Sequence, residues 1–210
     1  MGKNKPPYFI SFEGIEGVGK SENIRFVTNL LEQKQHRVLL TREPGGTNMA
    51  EEIRSVLLKK REEPVLPETE VLLLFAGRAQ HIHTVIQPAL RQGTWVLSDR
   101  FTESSIAYQS AGRGLTREKI RFLETLVLNQ FKSDLVILLD APVEIGLERI
   151  QIRQEKDRIE ESTIEFFEKV RQSYLDLAQE DPTRFVVIDA SQSLLHVQAQ
   201  LKKAIENRFF

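Results

Sequence analysis

Gly14-Ile15-Glu16-Gly17-Val18-Gly19-Lys20-Ser21 satisfies the pattern G-x-x-x-x-G-K-S/T at every fixed position. Immediately before it, Tyr8-Phe9-Ile10-Ser11-Phe12 alternates and is β-rich; after it, Ile24, Val27, Leu30 and Leu31 recur at helical spacing. The order is strand, glycine-rich loop, helix. That order suits an anion, because a loop ending at a helix N-terminus turns successive backbone N–H groups and the positive end of the helix dipole toward one point. Gly14, Gly17 and Gly19 let the backbone curl, and Ile15, Glu16 and Val18 contribute their amides to the same cradle. Lys20 supplies a mobile point charge for terminal phosphates, and the Ser21 hydroxyl is placed to ligate magnesium. The stretch predicts a bound nucleoside triphosphate.

Outward from this loop, apolar runs that read as buried parallel strands recur at Val38-Leu39-Leu40, Trp95-Val96-Leu97-Ser98, Leu135-Val136-Ile137-Leu138-Leu139 and Phe185-Val186-Val187-Ile188. Helix-like segments separate them. Five strands alternating with helices predict a doubly wound parallel sheet, helices on both faces, with its site off the carboxyl ends of the strands. The residues that follow the strands fit that expectation: Glu13 and the loop, then Arg42-Glu43-Pro44-Gly45-Gly46-Thr47, Asp99-Arg100, Asp140 and Asp189.

Two strands end in an aspartate that could face the phosphate loop. Asp99 is the predicted magnesium ligand, because Arg100 follows it and Thr102 to Gln109 concentrate hydrogen-bonding groups where a second substrate would sit. Only one of the two is expected to ligate the ion, and Asp140 reads as a cap for the helix near Pro142 or as the other candidate for that single role. Arg42 and Glu43 face the site or form a surface salt bridge. Arg78, set among apolar residues, either pairs with a carboxylate such as Glu70 or awaits a ligand's acceptor. His81 and His83 lie two apart on a helix, point to different faces and read as two exposed histidines rather than a metal pair. Between Arg149 and Arg158 the chain is polar and basic. Such a run is usually a solvated face, but the spacing of Arg149, Arg153 and Arg158 also suits a lid over a nucleotide, spanning about residues 149–160.

At 210 residues and 40% hydrophobic content, the chain reads as one domain spanning 1–210. Lys+Arg 29 against Asp+Glu 30 leaves a net charge of −1, so no global basic field is available and no nucleic-acid partner is expected. There is no cysteine, which excludes thiolate chemistry and thiolate zinc sites and fits a reducing compartment. Met1 to Pro7 has positive charge but no apolar segment behind it, and no run is long enough to span a bilayer. The expectation is a cytoplasmic protein with no membrane partner. Met1-Gly2 does not open a myristoylation signal, since Pro6 and Pro7 stand where Ser or Thr is required.

Taken together, Phe12 to Ser21, Arg42-Glu43-Pro44-Gly45-Gly46-Thr47, Asp99-Arg100-Phe101, Ala107-Tyr108-Gln109 with Gly112-Arg113-Gly114, and Asp157-Arg158-Ile159-Glu160 resemble the thymidylate kinase family over essentially the whole chain. The resemblance implies phosphoryl transfer from ATP to dTMP, giving ADP and dTDP, with magnesium, in a homodimeric cytoplasmic enzyme. It implies that Lys20, Arg100, Arg149 and Arg153 carry catalysis. It places Glu16 near the deoxyribose 3′-hydroxyl, Arg100 on the monophosphate, Arg78, Ser105 and Gln109 around the thymine edge, and Tyr108 against the 2′ position. Arg42, Pro44, Leu74 and Ser104 complete the implied dTMP site. Gly17 occupies a position where some members carry arginine, which assigns the catalytic cations to the lid. Three departures stand out: Leu74 where a stacking Phe is usual, with Phe75 next to it; Glu22 after Ser21; and Gln151 and Gln154 in the lid. The alternatives are a kinase of another nucleoside monophosphate, or a nucleotide-binding chain that has lost catalysis. A GTPase switch is excluded, because no Asn-Lys-x-Asp guanine reader is present.

Overall fold

In the computed structural model, which describes residues 6–151 and 157–210, the first strand, β1 (Phe9–Glu13), is buried along its whole length. It lies at the centre of a five-stranded, all-parallel sheet. The others are β2 (Val38–Arg42), β3 (Trp95–Asp99), β4 (Leu135–Asp140) and β5 (Phe185–Asp189), in the order β2-β3-β1-β4-β5. A strand covered on both faces has no need to alternate polar and apolar residues, and β4, Leu-Val-Ile-Leu-Leu-Asp, is buried except for its last residue. The chain leaves β1 toward β2 and leaves β3 toward β4, so connections from neighbouring strands diverge and open a crevice at their carboxyl ends. Phe12 pairs with Asp99 there, and Arg42 lies beside Asp99 on the other side.

Helices cover the two faces. Side chains of successive strand residues point oppositely, so Ile10, Phe12 and Leu97 pack with α1 (Lys20–Gln33), α8 (Ile164–Glu180) and α9 (Leu194–Phe209). Phe9 and Val96 instead join Val71 and Phe75 of α3 (Pro67–His81) and Ile120 of α6 (Arg117–Leu128). The remaining helices are α2 (Asn48–Leu58), α4 (Gln87–Arg91), α5 (Thr102–Ser105) and α7 (Val143–Gln151). Two π-helical segments, Ile82–Ile86 and Ile106–Gly112, carry α3 into α4 and extend α5. The chain closes with Phe209 edge-on to Trp95, centroids 5.0 Å apart, below the amino ends of the strands. Trp95 is fully buried, and removing such a ring costs about 3–5 kcal/mol.

Candidate active site

The phosphate loop connects β1 to α1. Its glycines take left-handed or unusual backbone angles, φ +136° at Gly14, +76° at Gly17 and +87° at Gly19. At Gly17 the need is also steric, because a Cβ there would stand 2.1 Å from the Gly146 carbonyl oxygen of α7. Gly146 repays the contact, since its own Cβ would lie 2.5 Å from the Glu16 carbonyl. Bare backbone therefore meets bare backbone, and α7 lies flush on the loop with the Arg149 guanidinium reaching the Gly17 carbonyl at 3.3 Å. Lys20 donates to the carbonyls of Gly14 (3.0 Å) and Ile15 (2.8 Å). Burial, with the Arg100 charge nearby, lowers its pKa to about 8.

A cleft of about 1540 Å³ runs over this loop, lined among others by Lys20, Ser21, Asp99, Arg42 and Arg149. Magnesium, which the fold family implies, can be tested here. The Asp99 carboxylate has one buried oxygen without a hydrogen-bond partner, a costly arrangement that an oxygen-seeking cation would relieve. The Ser21 hydroxyl lines the same cleft, so the donor set is hard oxygen and fits magnesium. No group of three His, Cys, Asp or Glu side chains converges as a metal site among the described residues. A magnesium ion here would share these two protein oxygens with phosphate oxygens. Glu22, in the first turn of α1, also lines this cleft.

A second cavity, about 650 Å³, adjoins the first. Its lining brings together Glu16, Pro44, Leu74, Arg78, Arg100, Ser104, Ser105, Tyr108 and Gln109, from four separate stretches of chain. Arg78 is buried and its three nitrogens are already engaged. Nε pairs with Glu43 (2.6 Å), Nη1 donates to the Ser105 hydroxyl (3.0 Å) and Nη2 to the Phe101 carbonyl (3.2 Å). A guanidinium has five N–H groups, so two remain for a ligand. Gln109 donates to Glu70 at 2.7 Å, while its buried carbonyl oxygen has no partner among the described residues. Leu74 faces the cavity, whereas Phe75 is buried in the core with the Arg78 guanidinium 4.6 Å from its ring centre.

Arg100 stands at the junction of the two spaces. It pairs with Glu16 at 2.9 Å and donates to the hydroxyls of Ser104 (3.2 Å), Tyr174 (3.0 Å) and Tyr108 (3.0 Å). Tyr108 in turn donates to the other Glu16 oxygen at 2.6 Å. The Glu43–Pro44 peptide is cis, and Arg54 of α2 donates to the Pro44 carbonyl at 3.0 Å.

Several pairings differ from those expected. Arg78 pairs with Glu43 of the β2 exit, not with Glu70, which instead receives Gln109 and Arg158. Arg158 is thereby anchored beside the second cavity, with Nε on the Leu57 carbonyl (3.0 Å), rather than over the phosphate loop. Arg42 does form a surface salt bridge, to Glu51 at 2.7 Å, while Glu43 turns inward, so both readings of that pair hold, one for each residue. His81 is fully buried, not exposed; its ring meets Glu43 (3.0 Å) and the Thr41 hydroxyl (2.6 Å). The Asp140 carboxylate is held bidentate by Arg171 of α8 at 2.7 and 2.8 Å, so it serves an ion pair rather than a cation or a cap. Arg153 and Gln154 lie outside the described residues. Sequence reasoning missed Arg54, Leu57 and Tyr174 as site residues, and it named Glu70 only as a partner for Arg78. No sequence pattern marks those three, whereas Glu43 carries one, its position at a strand exit inside a turn-rich run, and reads from it as facing the site.

A parallel sheet bearing a phosphate loop, with a strand-end aspartate opposite and a second, cation-rimmed cavity adjoining, defines a P-loop kinase that phosphorylates a small acceptor. The family model for thymidylate kinase matches residues 12–201. Relatives include the thymidylate kinase of Teredinibacter turnerae, 50% identical over 198 residues that span 94% of this chain and 97% of that one. That of Pseudomonas fluorescens is 51% identical over 199 residues, 95% of each chain. The crystal structure of thymidylate kinase from Ehrlichia chaffeensis superposes with a TM-score of 0.78 at 30% identity, covering 96% of this chain and 99% of that one. The chain belongs to the thymidylate kinase family, whose reaction is phosphorylation of dTMP by ATP. None of these matches favours another monophosphate or a chain without catalysis.

Proposed function

We propose that the chain passes the γ-phosphoryl group of ATP, seated over Gly14 to Ser21, to dTMP seated in the adjoining cavity. The observation that carries this reading is the shared wall: Glu16, Arg54, Arg100 and Asp157 line both spaces, so donor and acceptor phosphates placed in them meet at Arg100. Holding the two partners in line is itself a large part of the barrier in phosphoryl transfer. Lys20 and Arg149 supply positive charge on the donor side, and Arg153 keeps the catalytic role that the resemblance implies for it. Arg100, with Ser104, receives the dTMP phosphate, and Glu16 takes the 3′-hydroxyl. Magnesium, when bound at Ser21 and Asp99, neutralises charge on the phosphate oxygens.

At the far end, the free N–H groups of Arg78 suit a carbonyl acceptor, while the unpaired carbonyl of Gln109 suits an N–H donor. Thymine offers both on one edge. Ser105 and Glu43 fix the Arg78 fork, Pro44 and Leu74 contribute apolar wall, and Arg42 adds charge from the adjoining donor cleft, which it lines. Tyr108 is pinned by Glu16 and Arg100, so a 2′-hydroxyl would meet a ring that cannot swing away.

The same reading takes the chain as a single kinase unit, since all five strands belong to one sheet. It takes the enzyme as a homodimer. Leu72, Phe122 and Leu126 on α3 and α6 are 56, 68 and 70% exposed, an apolar face that a second copy would cover. No helix among the described residues is long and apolar enough to cross a membrane, and the same reading takes the enzyme as cytoplasmic. Measuring ADP release with dTMP, dUMP and CMP as acceptors tests the proposal. Turnover preferring dTMP is expected, and equal turnover of CMP would remove the assigned roles of Arg78 and Gln109.

A further inference from the structure

Glu13 ends β1, one residue before the phosphate loop, and its carboxylate is fully buried. It lines neither of the two cavities. A buried carboxylate is costly unless its oxygens are met by donors, and here three meet them. The Phe101 amide donates at 2.7 Å, the Ser104 hydroxyl at 2.6 Å and the Tyr174 hydroxyl at 2.9 Å. All three donors belong to the immediate surroundings of Arg100. Phe101 follows it in sequence, and the Ser104 and Tyr174 hydroxyls both accept from its Nη1.

The backbone at Arg100 needs such support. Its φ is +71°, a left-handed conformation that a residue with a Cβ adopts only when its surroundings impose it. The Arg100 amide donates to the Phe12 carbonyl at 2.9 Å, and the Ser98 hydroxyl donates to the Arg100 carbonyl at 2.7 Å. The remaining handle, the peptide N–H just after Arg100, is the one that Glu13 holds. One carboxylate thus fixes the backbone on the far side of Arg100 with one oxygen and orients two hydroxyls around its guanidinium with the other. Glu16 and Tyr108 occupy the opposite side of the guanidinium, on Nη2.

Glu13 faces Glu103 of α5 and the Arg100 charge, and its pKa is pushed up to about 7, by burial first and by Glu103 second. Bare packing would be served better by an apolar residue, so the expense of a carboxylate in this place calls for a function beyond filling space.

We infer that Glu13 is a positioning residue for the acceptor phosphate, acting through the Phe101 amide, Ser104 and Tyr174 to hold Arg100 in its working conformation. This rests on the reading that Arg100 receives the dTMP phosphate. The test is a double-mutant cycle of Glu13→Gln and Arg100→Ala, with KM for dTMP and for ATP measured separately beside the melting temperature. Glutamine keeps the shape and the bond to the Phe101 amide, but its NH2 group cannot accept from the two hydroxyls. The expected result is a rise in the dTMP KM of about tenfold, an ATP KM within about twofold of the parent, and a double variant no worse for dTMP than Arg100→Ala alone. An unchanged dTMP KM, an equal rise in both KM values, or additive effects would overturn the inference. If Arg100→Ala itself leaves the dTMP KM unchanged, the assignment of Arg100 is what fails, and the role of Glu13 falls with it. Should Glu13→Gln not fold, Tyr174→Phe takes its place in the cycle under the same criteria, with an expected rise of about threefold.

Discussion

The donor cleft and the acceptor cavity adjoin but are built from different material. The donor cleft is wide, about 1540 Å³; Glu16, Gly17, Gly19, Lys20 and Ser21 of the phosphate loop line it, and charged side chains from elsewhere, among them Arg42, Arg54, Asp99 and Arg149, complete it. The acceptor cavity is less than half that volume, about 650 Å³, and its wall is drawn from Glu16, the β2 and β3 exits, α2, α3, α5, the π-helical segment after it and residues 157–159. Backbone amides recognise phosphate, which every nucleotide carries, and depend little on distant parts of the chain. Base choice needs a few polar groups aimed across a small space, and each must be held by another buried group. In this protein the phosphate loop is local, and the selective site is a network.

The sharpest way to break the comparison is to cut that network away from the substrate. Glu43→Ala strands the buried Arg78 and His81 together, and removing one partner of a buried ion pair costs about 3–5 kcal/mol. A large fall in the chemical-denaturation midpoint is expected, and an unchanged midpoint would show that the acceptor site is as locally built as the phosphate loop.

On the donor side the opposite pattern is expected. Lys20→Ala should lower kcat by about 10²–10³-fold while the melting temperature holds or rises, since a buried ammonium is removed. Unfolding together with loss of turnover would contradict the local construction of the loop.

Smaller effects sharpen the contrast within α3. Leu74→Phe should tighten dTMP binding by about 1–3 kcal/mol through stacking, and Phe75→Leu should lower stability by about 1–2 kcal/mol with dTMP affinity retained. Titration and melting of both variants decide it; if Phe75→Leu selectively weakens dTMP, the ring reaches the base after all.

The gentlest probe is pH. Burial holds the Lys20 pKa near 8, below its ordinary 10.5, so the ammonium is charged below pH 8 and its burial cost is fully present there. Between about pH 8 and 10.5 the folded chain binds fewer protons than the unfolded one, and this group's contribution to stability rises with pH. Triphosphate needs the charged form. ATP affinity should stay level below pH 8 and fall above it, by up to about tenfold per unit. A level affinity to pH 9.5 would show that the ammonium is not what holds the triphosphate.

The same division explains what could be read from residues alone. The loop, five strands, Asp99 and Arg100 announce themselves through local patterns, because strand, turn and helix N-terminus are local physics. The partners of Arg78 do not, since Glu43 and Glu70 are both acidic and both within reach, and only the packing of α3 against the β2 exit selects Glu43. His81 misled for a related reason. Its neighbours in sequence look solvated, but the glycine-rich turn at Gly46 brings Thr41 and Glu43 to its ring. Arg158 belongs with these, its destination on Glu70 being set by how residues 157–160 fold back onto α2.

The flush contact of Gly17 on Gly146 sets a rule of exchange for this enzyme's evolution. An arginine introduced at position 17 would drive its Cβ into the α7 backbone, and α7 could yield only by carrying Arg149 away with it. A cation planted in the loop and a cation lent by the neighbouring helix therefore exclude one another at this spot.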